Sequence, residues 1–291
     1  MDTAVGYSVY IRGFRLALAV EGLKPHTIEN YIRDVERFAG FHGNLRPESA
    51  TPTDVREYVL QLKESRAPKT VYEAQLGLRR FFRFLVREGD IQHDPTEKMK
   101  LTRYRVDPQP TYTEAEVRRL IIACSTKTRI GLRDRAMVLV LFDTGVREGE
   151  LVSMHVPDWR NRHVSVDGKS GVRQVPLGTA SLQAVERYTR RWGMQDGPLW
   201  RGKKGPLTCS GVLQAIRRLC SRAGVEKKGV HAFRRAAAAQ MKRLGMNDSD
   251  ILEVMGWKDV TMLRRYIAAV AGELAHQAHE RYSPGDAIDL P

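Results

Sequence analysis

The chain has 291 residues, enough for two domains and too few for four. Hydrophobic residues make up 42% of it and aromatic residues 8%, which is typical of chains with packed cores and excludes global disorder. The 48 Lys and Arg residues exceed the 34 Asp and Glu residues and leave a net charge of +14. This excess favours a polyanionic partner, because Lys and Arg side chains that bind a polyanion release its condensed counterions. Nucleic acid is the first candidate, and an anionic membrane surface is the second.

Several classes of protein fit the sequence badly. The longest apolar run, residues 136–142, is far too short to cross a bilayer, and the first residues show no signal-peptide pattern. The cysteines, Cys124, Cys209 and Cys220, are odd in number and have no CxxC spacing. We therefore expect reduced thiols in a cytoplasmic protein, without a disulfide framework or a structural zinc site.

The first ninety residues show apolar residues at helical spacing. Thr51 with Pro52 is a typical helix start, and Gly89 suits a helix end. In the last of these segments Leu78 and Phe81 repeat on one face, while arginines occupy the other face. The pattern predicts helices over residues 6–20, 26–43, 50–62 and 70–90.

Helical spacing then breaks down in a basic stretch. Pro95, Pro108 and Pro110 lie among several Lys and Arg residues. We predict an extended basic linker over residues 95–112, which separates a helical domain (1–94) from a second domain (113–291). The alternative, a loop inside one domain, is less favoured because the preceding helices look self-contained.

The second part begins with a capping box formed by Thr113 and Glu116. One convincing β-hairpin follows, in which Val164 and Val166 alternate, Asp167 and Gly168 give the turn signal, and residues 172–177 return. The remaining periodicity predicts helices over residues 114–124, 132–143, 182–192, 210–223, 232–244, 248–255, 261–270 and 274–282. The predicted fold class is therefore mainly α, with a helical first domain and a mixed α+β second domain.

At four places the sequence has cationic or hydrogen-bonding side chains that the packing of a core does not require. They are Arg147 with Glu150, Lys169 at the hairpin tip, His231 with Arg234, and Trp257 with Tyr266. Each place alone has an ordinary explanation: a surface ion pair, a solvated lysine, a structural histidine and a core aromatic.

Together, these residues match the needs of phosphodiester transfer without a metal. Arg147 and Arg234 supply planar cations for the charged oxygens, Lys169 and His231 supply proton donors or acceptors, and Tyr266 supplies a nucleophile. No Asp/Glu cluster has the spacing for two-metal chemistry, and residues 168–171 lack the glycine spacing of a phosphate loop. We therefore expect neither a metal ion nor another cofactor.

The motifs "TGVREGEL", "GKSGVRQVPL", "HAFRRAAAAQM" and "MGWKDVTMLRRY" resemble those of the tyrosine recombinases, or phage integrases, in order and spacing. The upstream segments "GLKPHTIENYIRDVERF" and "APKTVYEAQLGLRRFFRFLVREGDIQHDP" are similar to the helical, SAM-like core-binding domain of that family. The resemblance covers nearly the whole chain. It implies a core-binding domain followed by a catalytic domain, of the compact two-domain type found in Xer-like recombinases and simple integrases.

The resemblance also implies roles for single residues. Tyr266 matches the nucleophile that leaves a 3′-phosphotyrosyl link and a free 5′-hydroxyl. Arg147 and Arg234 match the two arginines that clamp the scissile phosphate. Lys169 matches the hairpin lysine that protonates the leaving oxygen, although the hairpin "GKSGVR" is one residue shorter than is usual and lacks a second lysine.

Three further residues complete the implied site. His231 matches the histidine that assists proton transfer at the tyrosine, and Glu150 matches the acid that buttresses the first arginine. Trp257 stands where most members have histidine and some have tryptophan. Its indole N–H donates one hydrogen bond but cannot shuttle a proton.

The implied partners are double-stranded DNA target sites, three further copies of the chain in a tetramer, and accessory or directionality proteins. The tail after Tyr266 is expected to dock on a neighbouring protomer, and the protein is expected near the nucleoid. We expect basic residues to contact DNA phosphates at Lys69, Arg79, Arg80, Arg83, Lys100, Arg103, Arg105, Arg217, Arg218, Lys227 and Lys228.

Integration of a phage or other mobile element is the first functional expectation, and Xer-like resolution of chromosome or plasmid dimers is the alternative. A type IB topoisomerase uses similar residues but needs no partner sites, and the helical first domain favours the recombinase. A non-catalytic DNA-binding protein with this fold is also disfavoured, because every expected catalytic side chain is present.

Overall fold

The computed structural model describes residues 6–105, 109–156, 162–168, 171–202, 204–268 and 270–288. The chain divides into two compact units, Met1–Val106 and Asp107–Pro291. This boundary falls within the segment predicted to be a linker. Each unit has a hydrophobic core of its own.

The described part of the first unit contains four α-helices: α1 (Tyr7–Val20), α2 (Pro25–Phe41), α3 (Pro52–Ser65) and α4 (Pro68–Glu88). Proline occupies the first position of three of them, where its fixed φ and missing N–H cost nothing. Thr51 and Asp54 form a capping box at the start of α3. Gly89 ends α4 with a φ of 82°, as the sequence predicted.

Aromatic side chains fill the core of the first unit. Phe81 and Phe82 of α4 are fully buried, and Phe81 meets Phe14 of α1 edge-on, with 5.4 Å between ring centroids. Phe38 of α2 meets Phe82 in the same way, at 5.7 Å. Edge-to-face pairs of this kind add to the free energy gained from burial. The arginines of α4 lie on its opposite, more exposed face.

A buried glutamine of α4 forms hydrogen bonds with the backbone of the segment that was predicted to be a linker. Gln75 donates to the carbonyl of Lys100 at 3.1 Å and accepts from the backbone N–H of Thr102 at 2.7 Å. Arg79 donates to the carbonyl of Met99. Residues 99–102 therefore pack along the helix, which the local sequence did not indicate.

The second unit contains nine helices and two short β-ribbons among its described residues. The helices are α5 (Glu114–Ile122), α6 (Arg129–Thr144), α7 (Glu148–Val152), α8 (Thr179–Trp192), α9 (Cys209–Ala223), α10 (His231–Arg243), α11 (Asp248–Met255), α12 (Val260–Ile267) and α13 (Ala271–Arg281). Strands β1 (His163–Gly168) and β2 (Gly171–Pro176) form the predicted antiparallel hairpin, with Val164 opposite Val175. Strands β3 (Arg201–Gly202) and β4 (Gly205–Pro206) form a second ribbon.

The hydrophobic core of this unit surrounds α6. Met137, Val138, Val140 and Leu141 have less than 1% of their surface exposed, so this helix is apolar on most sides. A separate small cluster of Ala238, Ile251, Met255, Trp257 and Leu263 lies beneath α12, with Tyr266 packed against it. The predicted fold class, mainly α with a small β component in the second domain, is confirmed. Within the described ranges, no helix is long and apolar enough to cross a membrane.

Candidate active site

The first arginine of the site is fixed at the turn between α6 and α7. Arg147 is the residue before α7, and its backbone N–H donates to Glu150 at 2.8 Å while its Nη1 donates to the same carboxylate at 2.6 Å. The side chain of Glu150 is 2% exposed, whereas that of Arg147 is 30% exposed. The carboxylate thus holds the guanidinium from the protein side and leaves its other side accessible.

The second arginine lies almost fully buried on α10. Arg234 donates through Nη1 to the carbonyl of Gly145 and through Nη2 to the carbonyl of Met255. Its Nε is buried and has no hydrogen-bond partner among the described residues. Burial lowers the pKa of Arg234 to about 10, and the positive charge of Arg147 acts in the same direction. The group remains cationic at neutral pH.

Two aromatic rings lie beside this buried cation. The Arg234 Cζ atom lies 4.9 Å from the ring centroid of Trp257 and 5.9 Å from that of Tyr266. The two rings are 4.7 Å apart between centroids. The indole Nε1 of Trp257 is buried and has no acceptor within the part of the chain that is described. Two unpaired N–H groups and the tyrosine therefore share one small region.

His231 begins α10 and completes the group around the tyrosine. Its ring centroid lies 6.5 Å from that of Tyr266. Protein atoms around the ring partly remove it from water, which lowers its pKa, and the positive charges of Arg234, Arg235 and Arg147 lower it further. The imidazole is therefore neutral at neutral pH, in the form that accepts a proton.

Sequence reasoning missed a third arginine, Arg173 on β2. It donates to Glu150 Oε2 at 3.0 Å and to the carbonyl of Val254 at 2.7 Å. Burial would raise the pKa of Glu150, but the hydrogen bonds from Arg173 and Arg147 outweigh burial and hold this pKa below its usual value. The available signal was strand alternation, because Arg173 shares the inward face of β2 with Val175.

The C-terminus of α11 connects the three arginines. Three consecutive carbonyls, of Val254, Met255 and Gly256, each accept a hydrogen bond from a different guanidinium. The donors are Arg173, Arg234 and Arg147, in that order. Since the C-terminal end of a helix carries partial negative charge, it is a favourable place to gather cations.

Lys169, the predicted proton donor, lies outside the described residues. The adjoining Gly168 is described and approaches the site closely, since a Cβ atom there would lie 2.6 Å from Glu150 Oε1. The end of strand β1 thus borders the Arg147–Glu150 pair, and only a residue without a side chain fits there.

The eleven basic residues predicted to contact DNA fall into two groups. Four have partners within the protein: Lys69 pairs with Glu73, Arg79 with the Met99 carbonyl, Arg80 with Glu21, and Lys228 with Glu116. Lys228 is the most enclosed, with 12% of its side chain exposed. Lys69 is nevertheless 65% exposed. The other seven are exposed and have no recorded ion pair among the described residues: Arg83, Lys100, Arg103, Arg105, Arg217, Arg218 and Lys227.

A metal centre has no support in the described ranges, where no group of three or more His, Cys, Asp or Glu side chains is placed to hold an ion. The groups that surround Tyr266 are cations and N–H donors. Such a set suits an anion, and its two buried unpaired donors suit oxygen atoms that carry negative charge.

Comparison with known families assigns both parts of the chain. Residues 110–273 match the model of the phage integrase family, and residues 11–89 match that of the phage integrase N-terminal SAM-like domain. The chain belongs to the phage integrase family. Within it, the chain is a tyrosine recombinase of the Xer-like type, an enzyme that cleaves and rejoins DNA.

Relatives match along most of their length. The tyrosine recombinase XerD of Listeria innocua is 26% identical over 84% of this chain and 89% of its own. The tyrosine recombinase XerC of Roseiflexus castenholzii is 28% identical over 94% of this chain and 93% of its own. A putative integrase/recombinase of Sinorhizobium fredii is 30% identical over 82% of this chain and 62% of its own.

Solved structures show the same fold. A lambda integrase dimer bound to a COC′ core site superposes with a TM-score of 0.75 and 19% identity, over 91% of this chain and 78% of that one. The Tn1549 transposon integrase in complex with transposon right end DNA gives the same TM-score and identity, over 94% and 98% of the two chains. At these identities the likeness is one of fold.

Proposed function

We propose that this enzyme recombines DNA at specific sites through a covalent link between Tyr266 and a DNA phosphate. The observation that carries the proposal is the position of Tyr266 beside the buried cation of Arg234 and the unpaired N–H of Trp257. A phosphodiester gains negative charge on its non-bridging oxygens during transfer, and fixed donors of this kind stabilise that charge. Arg147, with its accessible guanidinium, supplies the second cation.

The proposed reaction keeps bonds and protons in balance. The hydroxyl oxygen of Tyr266 attacks phosphorus, the bond from phosphorus to the 5′-oxygen breaks, and a 3′-phosphotyrosyl link forms. His231 takes the tyrosine proton, and Lys169 gives a proton to the 5′-oxygen. Attack by a 5′-hydroxyl of a second strand reverses these steps and rejoins the DNA, so neither ATP nor a metal ion is required.

The partners follow from this chemistry. The DNA-bound neighbours of like fold, one of them a lambda integrase tetramer on a Holliday junction, support a DNA-bound tetramer here. The first unit is proposed to bind the core site, and the segment after Tyr266 to dock on a neighbouring protomer. The seven exposed basic residues without a recorded ion pair are the preferred phosphate contacts. Because the enzyme acts on DNA, we propose that it works at the nucleoid in the cytoplasm, and that accessory DNA-binding proteins set the direction of the reaction.

Two biological settings are compatible with this reaction. Integration of a mobile element is the first, and resolution of chromosome or plasmid dimers is the second. The second is favoured by the relatives named XerC and XerD, which match over most of both chains. The pair of sites that is recombined separates the two settings. A dimer resolvase recombines two identical copies of one site, whereas an integrase joins two sites with different flanking sequences.

The test begins by finding a site. Tyr266→Phe protein should capture specific fragments from the source genome, and nicked suicide substrates are then made from them. Wild-type protein should form a denaturation-resistant DNA adduct, and Tyr266→Phe should bind equally but form none. Tyr10→Phe, which removes a hydroxyl that donates to the exposed Glu48 and lies outside the predicted contact set, is the matched control and should behave as wild type. A normal adduct yield with Tyr266→Phe would overturn the proposal.

A further inference from the structure

We infer that Arg173 is a positioning residue for DNA cleavage, which holds Glu150 so that Arg147 keeps N–H groups available for the scissile phosphate. This inference rests on the proposed function and adds a residue to its machinery. The carboxylate of Glu150 has a different cationic partner at each oxygen, with Oε1 bound to Arg147 Nη1 at 2.6 Å and Oε2 bound to Arg173 Nη2 at 3.0 Å. Oε2 also accepts the neutral backbone N–H of Arg147 at 2.8 Å.

The hydrogen bonds of Arg173 form a bridge between Glu150 of α7 and the C-terminal end of α11. One arm of its guanidinium bonds Glu150, and the other arm bonds the carbonyl of Val254 at 2.7 Å. Gly256 faces the same guanidinium so closely that a Cβ atom there would lie 2.9 Å from Arg173 Nε. Arg173 therefore joins the hairpin strand, the α7 carboxylate and the turn before Trp257. A planar fork with several donors can do this, and a lysine ammonium cannot do it in the same geometry.

The negative charge of Glu150 explains why the contacts of Arg173 affect the position of Arg147. A carboxylate that has lost one cationic partner turns both oxygens toward the remaining one, since a two-point Arg–carboxylate pair is the strongest arrangement available. Glu150 is 2% exposed and cannot turn to water instead. Without Arg173, Oε2 would keep only the backbone N–H of Arg147 and no cation. The buried carboxylate would then draw a second N–H of the Arg147 guanidinium, which would shift toward it and away from an incoming phosphate.

The burial of the Arg173 side chain argues that this residue positions other groups and does not itself contact DNA. The side chain of Arg173 is 17% exposed, against 30% for Arg147, and both of its terminal nitrogens already donate to protein acceptors. Arg173 thus acts through Glu150 and Arg147, and its removal should slow cleavage much more than it weakens binding.

The experiment compares single-turnover cleavage of a nicked suicide substrate with equilibrium binding of the same DNA. Arg173→Gln should cleave up to about 10²-fold more slowly, the cost of misplacing a reacting group by about 1 Å. Its Kd for DNA should change by less than a factor of about three, since only the contact of Arg147 with one phosphate is weakened and the other phosphate contacts remain. Arg173→Lys should recover part of the rate. Arg190→Gln, at an arginine whose side chain is 78% exposed, is the matched control and should change neither.

A double-mutant cycle with Glu150→Gln tests the pathway. If Arg173 acts through the Glu150 carboxylate, Arg173→Gln should add little to the slowing caused by Glu150→Gln alone. Fully additive slowing, an equal loss of binding and cleavage, or a wild-type rate in folded Arg173→Gln protein would overturn the inference. Failure of the proposed function is distinct, because then wild-type protein itself would form no adduct through Tyr266.

Discussion

Arg234 is a buried cation whose hydrogen bonds, among the described residues, go to backbone carbonyls and not to a carboxylate. The carbonyls of Gly145 and Met255 lie at the C-termini of α6 and α11, where helix dipoles place partial negative charge. These partial negative charges reduce the free-energy cost of burying the guanidinium but do not neutralise its positive charge. The consequence is a net positive pocket beside Tyr266, suited to a phosphate.

The lowered pKa of His231 gives a prediction for the pH dependence of cleavage. The lowering keeps the imidazole neutral below the ordinary histidine value of 6.5, so it can still accept the tyrosine proton there. Single-turnover cleavage should therefore hold its neutral-pH rate to below pH 6.5 and fall only as His231 becomes protonated. Rates measured on a suicide substrate across this range check the prediction.

The matched variant is His231→Gln, which keeps a polar side chain but does not titrate. It should cleave more slowly at neutral pH and lose the acid limb of the profile. An unchanged acid limb in this variant would assign the limb to another group. An acid limb that begins above pH 6.5 in the wild type would contradict the lowered pKa.

At the scale of elements, Gly145 connects the end of α6 to the site. Its φ is 59°, and a Cβ atom would lie 2.6 Å from Met255 Sδ and 3.1 Å from Ala237 Cβ. Gly145→Ala should therefore displace the fully buried Met255 side chain, crowd Ala237 and shift the carbonyl that accepts from Arg234. We expect an unfolding free energy lower by about 2–4 kcal/mol, from left-handed strain and overpacking, with a large loss of cleavage.

Gly224→Ala provides the comparison, because this residue ends α9 with a φ of 61° and has nothing within 4 Å of the added Cβ. It should cost only the strain of the left-handed conformation, about 1 kcal/mol, and leave cleavage unchanged. Thermal or denaturant unfolding of both variants measures the difference. Equal destabilisation would mean that the contact with Met255 is unimportant.

Long periodic helices were the part of the fold that the sequence predicted best. The helices of the first unit and the β1–β2 hairpin were recognised from spacing, caps and turn residues, because these signals are local. The two-residue ribbon of β3 and β4 is too short to leave a periodic signal. The packing of residues 99–102 on α4 depends on one buried amide, Gln75, which local patterns do not reveal.

The sequence predicted which residues form the site, but not the hydrogen bonds that link them. Arg147, His231, Arg234 and Tyr266 were chosen for their chemistry and motif order, and the structure brings them to one region. The sharing of Glu150 by two arginines depends on distances across the fold, between residues 23 positions apart. Strand alternation could place Arg173 on the inward face of β2, but the sequence did not indicate that it shares Glu150 with Arg147.

For the whole molecule, which has a net charge of +14, the number of basic side chains that contact phosphates sets how DNA binding responds to salt. The logarithm of the binding constant should fall linearly with the logarithm of salt concentration, and each lost phosphate contact should reduce the slope by about 0.9. Arg217→Gln, at an exposed predicted contact, should lower the slope by about this amount. Titrations at several salt concentrations measure it.

Arg190→Gln serves again as the control, because it removes the same charge from α8, at a position outside the predicted contact set. Its slope should match the wild type. Equal reductions in both variants would show that the slope reports the total charge of the protein and not contacts at particular residues.

The most direct test of the central claim is to identify the amino acid that carries the DNA. Trypsin cleaves after Arg265 and Arg281, so the peptide 266–281 contains Tyr266 as its single tyrosine, and Tyr282 falls on the next peptide. After digestion of the trapped adduct with nuclease and trypsin, mass spectrometry should find the nucleotide remnant on peptide 266–281, at Tyr266. A remnant on any other residue would contradict the assignment of Tyr266 as the nucleophile.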